Sequence, residues 1–282
     1  MNIRHLTAIV ATWLIGAAAV HAQWVRTPAN PIPRTADGKA NLSAPAPRTA
    51  EGKPDLSGVW QAQGSPIPEL IPLLPLNGEN GLGEDLPTKY FISVFADFKP
   101  GEAPLKPAAQ AAASKLSLLA AEHDDEGLNC LPAGVPMVDL LPSPFKFIQT
   151  PRVVAMLMEA HTAFRQIFID GRKHPEDPQP SWMGYSVGRW EGDTLVVETT
   201  GFNDRSHLDA MGHGHTAALR VTERFHRRDV GHLDMQITID DPGILTKPVT
   251  INVPARLLPD GDLIEYVCAE NEKDLTHVSV RR

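Results

Sequence analysis

The 282-residue chain carries 26 Lys and Arg against 34 Asp and Glu, a formal charge of −8, with two cysteines and 42% hydrophobic residues. An acidic chain without a basic run is a poor match for nucleic acid or an anionic membrane surface. The one basic stretch, Arg224, Arg227 and Arg228, is broken by His226 and followed by Asp229, and reads as solvated strand and turn residues.

The chain opens on Met1-Asn2-Ile3-Arg4-His5, continues through an apolar stretch over residues 6–20, and reaches Val20-His21-Ala22 before Gln23. A basic start, a short apolar centre and a small-residue cleavage site form the pattern of a secretory signal peptide over residues 1–22. Spanning a bilayer takes roughly 20 apolar residues, so a membrane anchor is the weaker reading, and no later run is long enough for membrane insertion. The expected location is therefore periplasmic or secreted. There Cys130 and Cys268 can pair, tying a segment ahead of the barrel to its last strand; two buried thiols are the alternative.

Residues 23–55 form a proline-rich, extended segment, and 14 of the 26 prolines fall within residues 23–108. It holds a near-repeat, P-R-T-A-D-G-K-A-N-L-S from Pro33 and P-R-T-A-E-G-K-P-D-L-S from Pro47, too few copies for a solenoid. The second copy runs into Gly58-Val59-Trp60, which starts a strand and a single domain over residues 56–282. A long loop is expected over residues 66–87 and a strand over residues 90–98, where aromatic and β-branched residues collect. Residues 107–121 read as the accessory helix, with Pro107 in the first turn, alanine dominant, and Leu116 and Leu119 facing the sheet.

From residue 145 the pattern is strand after strand: 145–149, 153–159, 164–170, 186–190, 194–200, 219–226, 232–240, 250–257 and 262–270. Leu219, Val221 and Phe225 share one face, as do Leu233, Met235, Ile237 and Ile239, a period of two. Glu191-Gly192-Asp193 and 228–231 reverse the chain between paired strands, and Asp170-Gly171-Arg172 and 259–262 carry turn chemistry too. Consecutive antiparallel strands with one helix outside them predict an all-β, up-and-down barrel whose closure removes exposed edges; a two-sheet sandwich is the alternative.

The run from Phe164-Arg165-Gln166-Ile167-Phe168-Ile169-Asp170-Gly171-Arg172 through Gly188-Arg189-Trp190-Glu191-Gly192-Asp193-Thr194-Leu195 to Thr222-Glu223-Arg224-Phe225 and Glu265-Tyr266-Val267-Cys268 resembles a family of uncharacterised secreted bacterial proteins. The resemblance covers roughly the C-terminal half and implies a lipocalin-like, calycin-type barrel behind a signal peptide; the Gly58-Val59-Trp60 start of the first strand is similar to what such barrels show. It assigns no activity.

Chemistry has few places to sit. Gly184-Tyr185-Ser186-Val187-Gly188 matches a hydrolase nucleophile elbow, but that elbow needs a helix after it and another strand follows, so Ser186 reads as part of a glycine-rich strand. His213 and His215, in a loop that also holds His207, can share a face and bind zinc or copper, with Asp204, Asp209 or Glu223 supplying oxygen; exposed loop histidines are the alternative. Glu223 falls on the apolar face of its strand, where a carboxylate must be paired, hydrogen-bonded or neutral. Arg165 has matching parity and is its natural partner, and Glu159 is a second candidate inward acid. Two functions follow. One is a barrel that binds a small apolar or aromatic ligand, oriented by inward polar residues. The other is a cofactor-free acid–base enzyme, a lyase, isomerase or hydrolase, in which His215 is the acid or base, Glu223 and Glu159 tune or share protons, and Arg165 with Tyr266 holds an oxyanion. No glycine-rich nucleotide motif precedes a helix, so the sequence names no cofactor.

Overall fold

The computed structural model describes residues 32–74, 86–113 and 131–267. Residues 1–22, expected as a signal peptide, both cysteines, and Leu116 and Leu119 lie outside the described residues.

Nine strands close into a barrel: β1 (Gly58–Ala62), β2 (Phe145–Gln149), β3 (Val153–Met158), β4 (Phe164–Phe168), β5 (Tyr185–Glu191), β6 (Thr194–Thr200), β7 (Arg220–Arg227), β8 (His232–Asp240) and β9 (Val249–Leu257). Alternation drives the closure. In β9, Val249, Ile251, Val253, Ala255 and Leu257 are buried while the residues between them are exposed, and β7 and β8 repeat the pattern. Each fully buried Val, Leu, Ile, Phe or Met side chain contributes roughly 1.5–3 kcal/mol, so slipping a strand by one residue would forfeit the whole face. Phe147 packs edge-on against Phe145 and Phe225, with ring centroids 5.5 and 5.4 Å apart.

The pairings distinguish two ends of the barrel. One carries the short turns, β2 to β3, β5 to β6 and β7 to β8. The other, the loop end, carries residues 159–163, 201–219 and 241–248 and receives the segments leading into β2 and β5. The two repeat copies belong to the turn end and fold alike. Thr35 N–H donates to Lys39 and Thr49 N–H to Lys53, both at 2.8 Å. Gly38 and Gly52 supply the positive φ that each turn needs. Arg34 then pairs with Asp260 beyond β9, and Arg48 with Asp193 in the β5–β6 turn at 2.6 Å.

Four local expectations are corrected. Residues 262–267 are irregular, with Ile264, Tyr266 and Val267 about half exposed. The last barrel position goes instead to β1, whose almost wholly buried residues pair with both β2 and β9. Residues 90–98 form a helical turn, Lys89–Ile92, followed by further turns, because the Thr88 hydroxyl caps Phe91 N–H at 2.9 Å and this local bond competes with extension. Asp170-Gly171-Arg172 does not make a hairpin. Asp170 binds Arg172 instead, the chain runs on past Pro175, Pro178 and Pro180, and β5 enters parallel to β4 with Ile167 opposite Ser186. A parallel pair needs a crossover of about a dozen residues or more, which residues 169–184 provide. Finally, Arg227 is buried rather than solvated. It shares the parity of Phe225, sits 4.9 Å over the Trp60 ring, and donates to the Asp229, Asp55, Ser57 and Val230 carbonyls; burial pushes its pKa down to about 10.

The helix expected over residues 107–121 is present over its described part, Pro107–Ala113.

Candidate functional site

Inside the apolar barrel sits one polar centre. Arg165 on β4, Ser186 on β5, Thr199 on β6 and Glu223 on β7 all take inward parity, and all are buried. Adjacent pairings bring them together: Ile167 opposite Ser186, Ser186 opposite Thr199, Thr199 opposite Val221. Arg165 grips the Glu223 carboxylate through both terminal nitrogens, one at 2.8 Å. Its Nε donates to Ser186 Oγ at 2.9 Å and its Nη2 to Thr199 Oγ1 at 2.7 Å. Burial works against the guanidinium charge, but the Glu223 carboxylate beside it holds the Arg165 pKa above its ordinary value.

Asp139 completes the centre from the short helix Met137–Leu140 at the loop end. Its Oδ2 lies 3.9 Å from Arg165 Nη1, too far for a hydrogen bond, and neither carboxyl oxygen meets a donor although the residue is 1% exposed. Burial, and then the neighbouring Glu223, drive its pKa well above the ordinary carboxylate range, against the pull of Arg165. The charge balance agrees: Arg165 and Glu223 cancel, so a third charge in this low-dielectric interior has no counter-ion. Asp139 is therefore held as the acid, its O–H turned to the Glu223 carboxylate and its carbonyl oxygen left without a donor.

The histidine loop lies at the same end. His213 Nδ1 faces both Asp209 oxygens at 2.8 Å, while His215 Nε2 lies 2.9 Å from Ser206 Oγ. The two imidazoles thus have separate partners, and among the described residues no three His, Cys, Asp or Glu side chains gather as a metal set. Glycine 134 links the regions: a Cβ there would stand 2.4 Å from Ser206 Oγ, and five residues further on the chain places Asp139 beside Arg165.

No family model matches the chain, and no curated protein matches it. The barrel must be read from its own residues.

Of the expected site residues, Arg165 and Glu223 meet as their parity requires. Glu159 does not join them: Val154, Met156 and Met158 point inward, so the next residue turns out, and its Oε2 accepts Ile264 N–H at 3.1 Å. Tyr266 is also away from the centre. Its ring is about half exposed, and its carbonyl accepts the Thr162 hydroxyl at 2.6 Å. Ser186 is a structural hydroxyl within a strand, bonded to Arg165. Asp139, Thr199 and Ser206 escaped the sequence reading. An acid inside the apolar run Met137-Val138-Asp139-Leu140 was the one available signal for the first; nothing in the pattern marks the other two.

A groove of about 440 Å³ lies elsewhere, on the outer wall of β6 to β9, lined among others by Arg224, His226, Asp234, Gln236 and Asn252. Those five take outward parity, so the groove is separate from the buried centre.

Proposed function

We propose that this chain is a periplasmic or secreted barrel that binds a small molecule with an apolar or aromatic body and one polar group. The observation that carries the reading is Asp139, a buried carboxyl that turns to Glu223 and whose oxygens meet no donor. Leaving that acceptor unmet costs about 1–3 kcal/mol, a cost that a ligand able to donate at that point would remove. Arg165 is already occupied by Glu223, Ser186 and Thr199, so it acts as a rigid support rather than as the ligand's anion clamp. The aromatic and aliphatic lining around the centre suits the apolar part of such a molecule, and Met137–Leu140 must shift to admit it.

Native mass spectrometry of the full secreted chain tests this reading. The expected result is a small molecule retained by the parent and lost from Asp139→Leu. A parent that carries none, and that is not stabilised by any of a panel of aromatic acids, alcohols and amides, overturns it. The second reading, acid–base catalysis on the same barrel, is favoured by the neutral Asp139 beside Glu223, since two carboxyls in one site can divide the acid and base roles. Under that reading Asp139→Asn retains the ligand and turns it over about 100-fold more slowly or worse.

A further inference from the structure

We propose that Ser206 and His215 form a nucleophile–base pair that transfers the acyl group of a small ester to water. The proposal stands apart from ligand binding at Asp139, because it uses different atoms.

The directions of the hydrogen bonds around His215 set its tautomer. His215 Nδ1 lies 3.1 Å from the Thr216 carbonyl oxygen. A carbonyl only accepts, so Nδ1 carries the proton. In the neutral ring Nε2 is then a bare lone pair, and the Ser206 hydroxyl at 2.9 Å must donate to it. That is the arrangement a nucleophilic serine requires: hydroxyl to base, and base held in one tautomer by a third group. Desolvation supports the neutral ring by lowering the His215 pKa, with the Thr216 carbonyl and Asp241 opposing it.

The third group is itself anchored. The fully buried Asp241 carboxylate accepts from Thr216 N–H at 2.6 Å, from the Thr216 hydroxyl at 2.8 Å and from Gly243 N–H at 2.8 Å. Asp241 thus acts as a positioning residue through the peptide it holds, where a carboxylate directly on the imidazole would serve in an ordinary triad. Phe202 meets the imidazole with ring centroids 5.8 Å apart and limits its rotation.

The serine side is shaped as well. Asp204, two residues ahead of Ser206, sits at φ 54, a left-handed conformation that aspartate adopts more readily than most residues. Gly134, at φ 73, packs its backbone close against the hydroxyl, where any Cβ would stand 2.4 Å from Oγ; Ser206 is 2% exposed, so an ester reaches it only if this segment moves.

The chemistry balances with water as the only co-reactant. Ser206 Oγ attacks the ester carbonyl carbon as its proton passes to His215 Nε2; the C–O bond to the alcohol breaks, and the alcohol leaves with that proton. Water then attacks the acyl-serine, gives a proton to Nε2, and the C–Oγ bond breaks to release the acid and restore the Ser206 hydroxyl.

Diisopropyl fluorophosphate, which captures a serine activated in this way, and p-nitrophenyl acetate test the proposal on the full chain. The expected result is a single phosphoryl adduct that peptide mapping places on Ser206, with acetate hydrolysis lowered at least about 100-fold in Ser206→Ala and in His215→Ala. An unlabelled parent protein, or an adduct on another residue, overturns the proposal, and neither outcome needs a variant to fold. Loss of a bound small molecule in Asp139→Leu with Ser206 labelling intact would separate this activity from the binding reading.

Discussion

Arg165 satisfies Glu223, Ser186 and Thr199 at once, which makes the buried pair costly to break from either side. Glu223→Gln leaves the guanidinium without its countercharge in a site closed to water, and unfolding in urea should show a loss of about 3–5 kcal/mol; a change under about 1 kcal/mol would mean that Asp139 takes over as the ion partner. Asp139 itself has the opposite sign. Its pKa is raised in the folded state, mainly by burial and then by Glu223, so the native protein binds a proton that the unfolded chain gives up. Stability linked to this group is greatest below the unfolded carboxylate value of 3.8 and falls as pH rises toward the folded value, where it levels off. Asp139→Asn should therefore flatten the decline in melting temperature across that window and be the more stable protein at neutral pH. A variant with the same pH slope as the parent would show that Asp139 is not the group responsible.

At the scale of elements, the β5–β6 hairpin shows how little sequence a turn needs. Glu191 pairs with Thr194, leaving Gly192 and Asp193 to reverse the chain, and Gly192 stands at φ 60 with nothing within 4 Å of an added Cβ. Gly192→Ala thus isolates the backbone cost of the left-handed conformation, about 1 kcal/mol, and Gly192→Asn should cost less because asparagine tolerates that region. Equal stabilities for all three, measured in urea, would mean that the turn relaxes into another type. The parallel β4–β5 pair teaches the converse. Asp170-Gly171-Arg172 has hairpin chemistry, yet Asp170 spends it on Arg172 and Arg152, and the prolines that follow carry the chain across. Turn residues mark where a strand ends without saying where the next one begins.

For the whole molecule, the far-ultraviolet circular dichroism of the full chain should be dominated by strand, with a small helical share; a mainly helical spectrum would contradict nine paired strands. The leader reading has its own check. N-terminal sequencing of material from the periplasm should begin at Gln23, and intact Met1 in that fraction would remove the signal peptide.

The sequence by itself determined the period-two faces of β7, β8 and β9, the parity that puts Arg165 and Glu223 inside, and the turns at Glu191-Gly192-Asp193 and residues 228–231, because each follows from alternation and local φ preference over a few residues. It also carried the near-repeat, whose two copies fold alike because the same glycine and arginine stand at the same places in both. The tertiary structure alone decided that Gly58–Ala62 closes the barrel in place of residues 262–267 and that β5 runs parallel to β4. It also decided that Asp139 reaches Glu223 and that Ser206 reaches His215. Each of these is a meeting of segments far apart in the chain or bent back by a loop, and which partners meet depends on how the closed sheet distributes its buried area, a quantity no short window of residues contains.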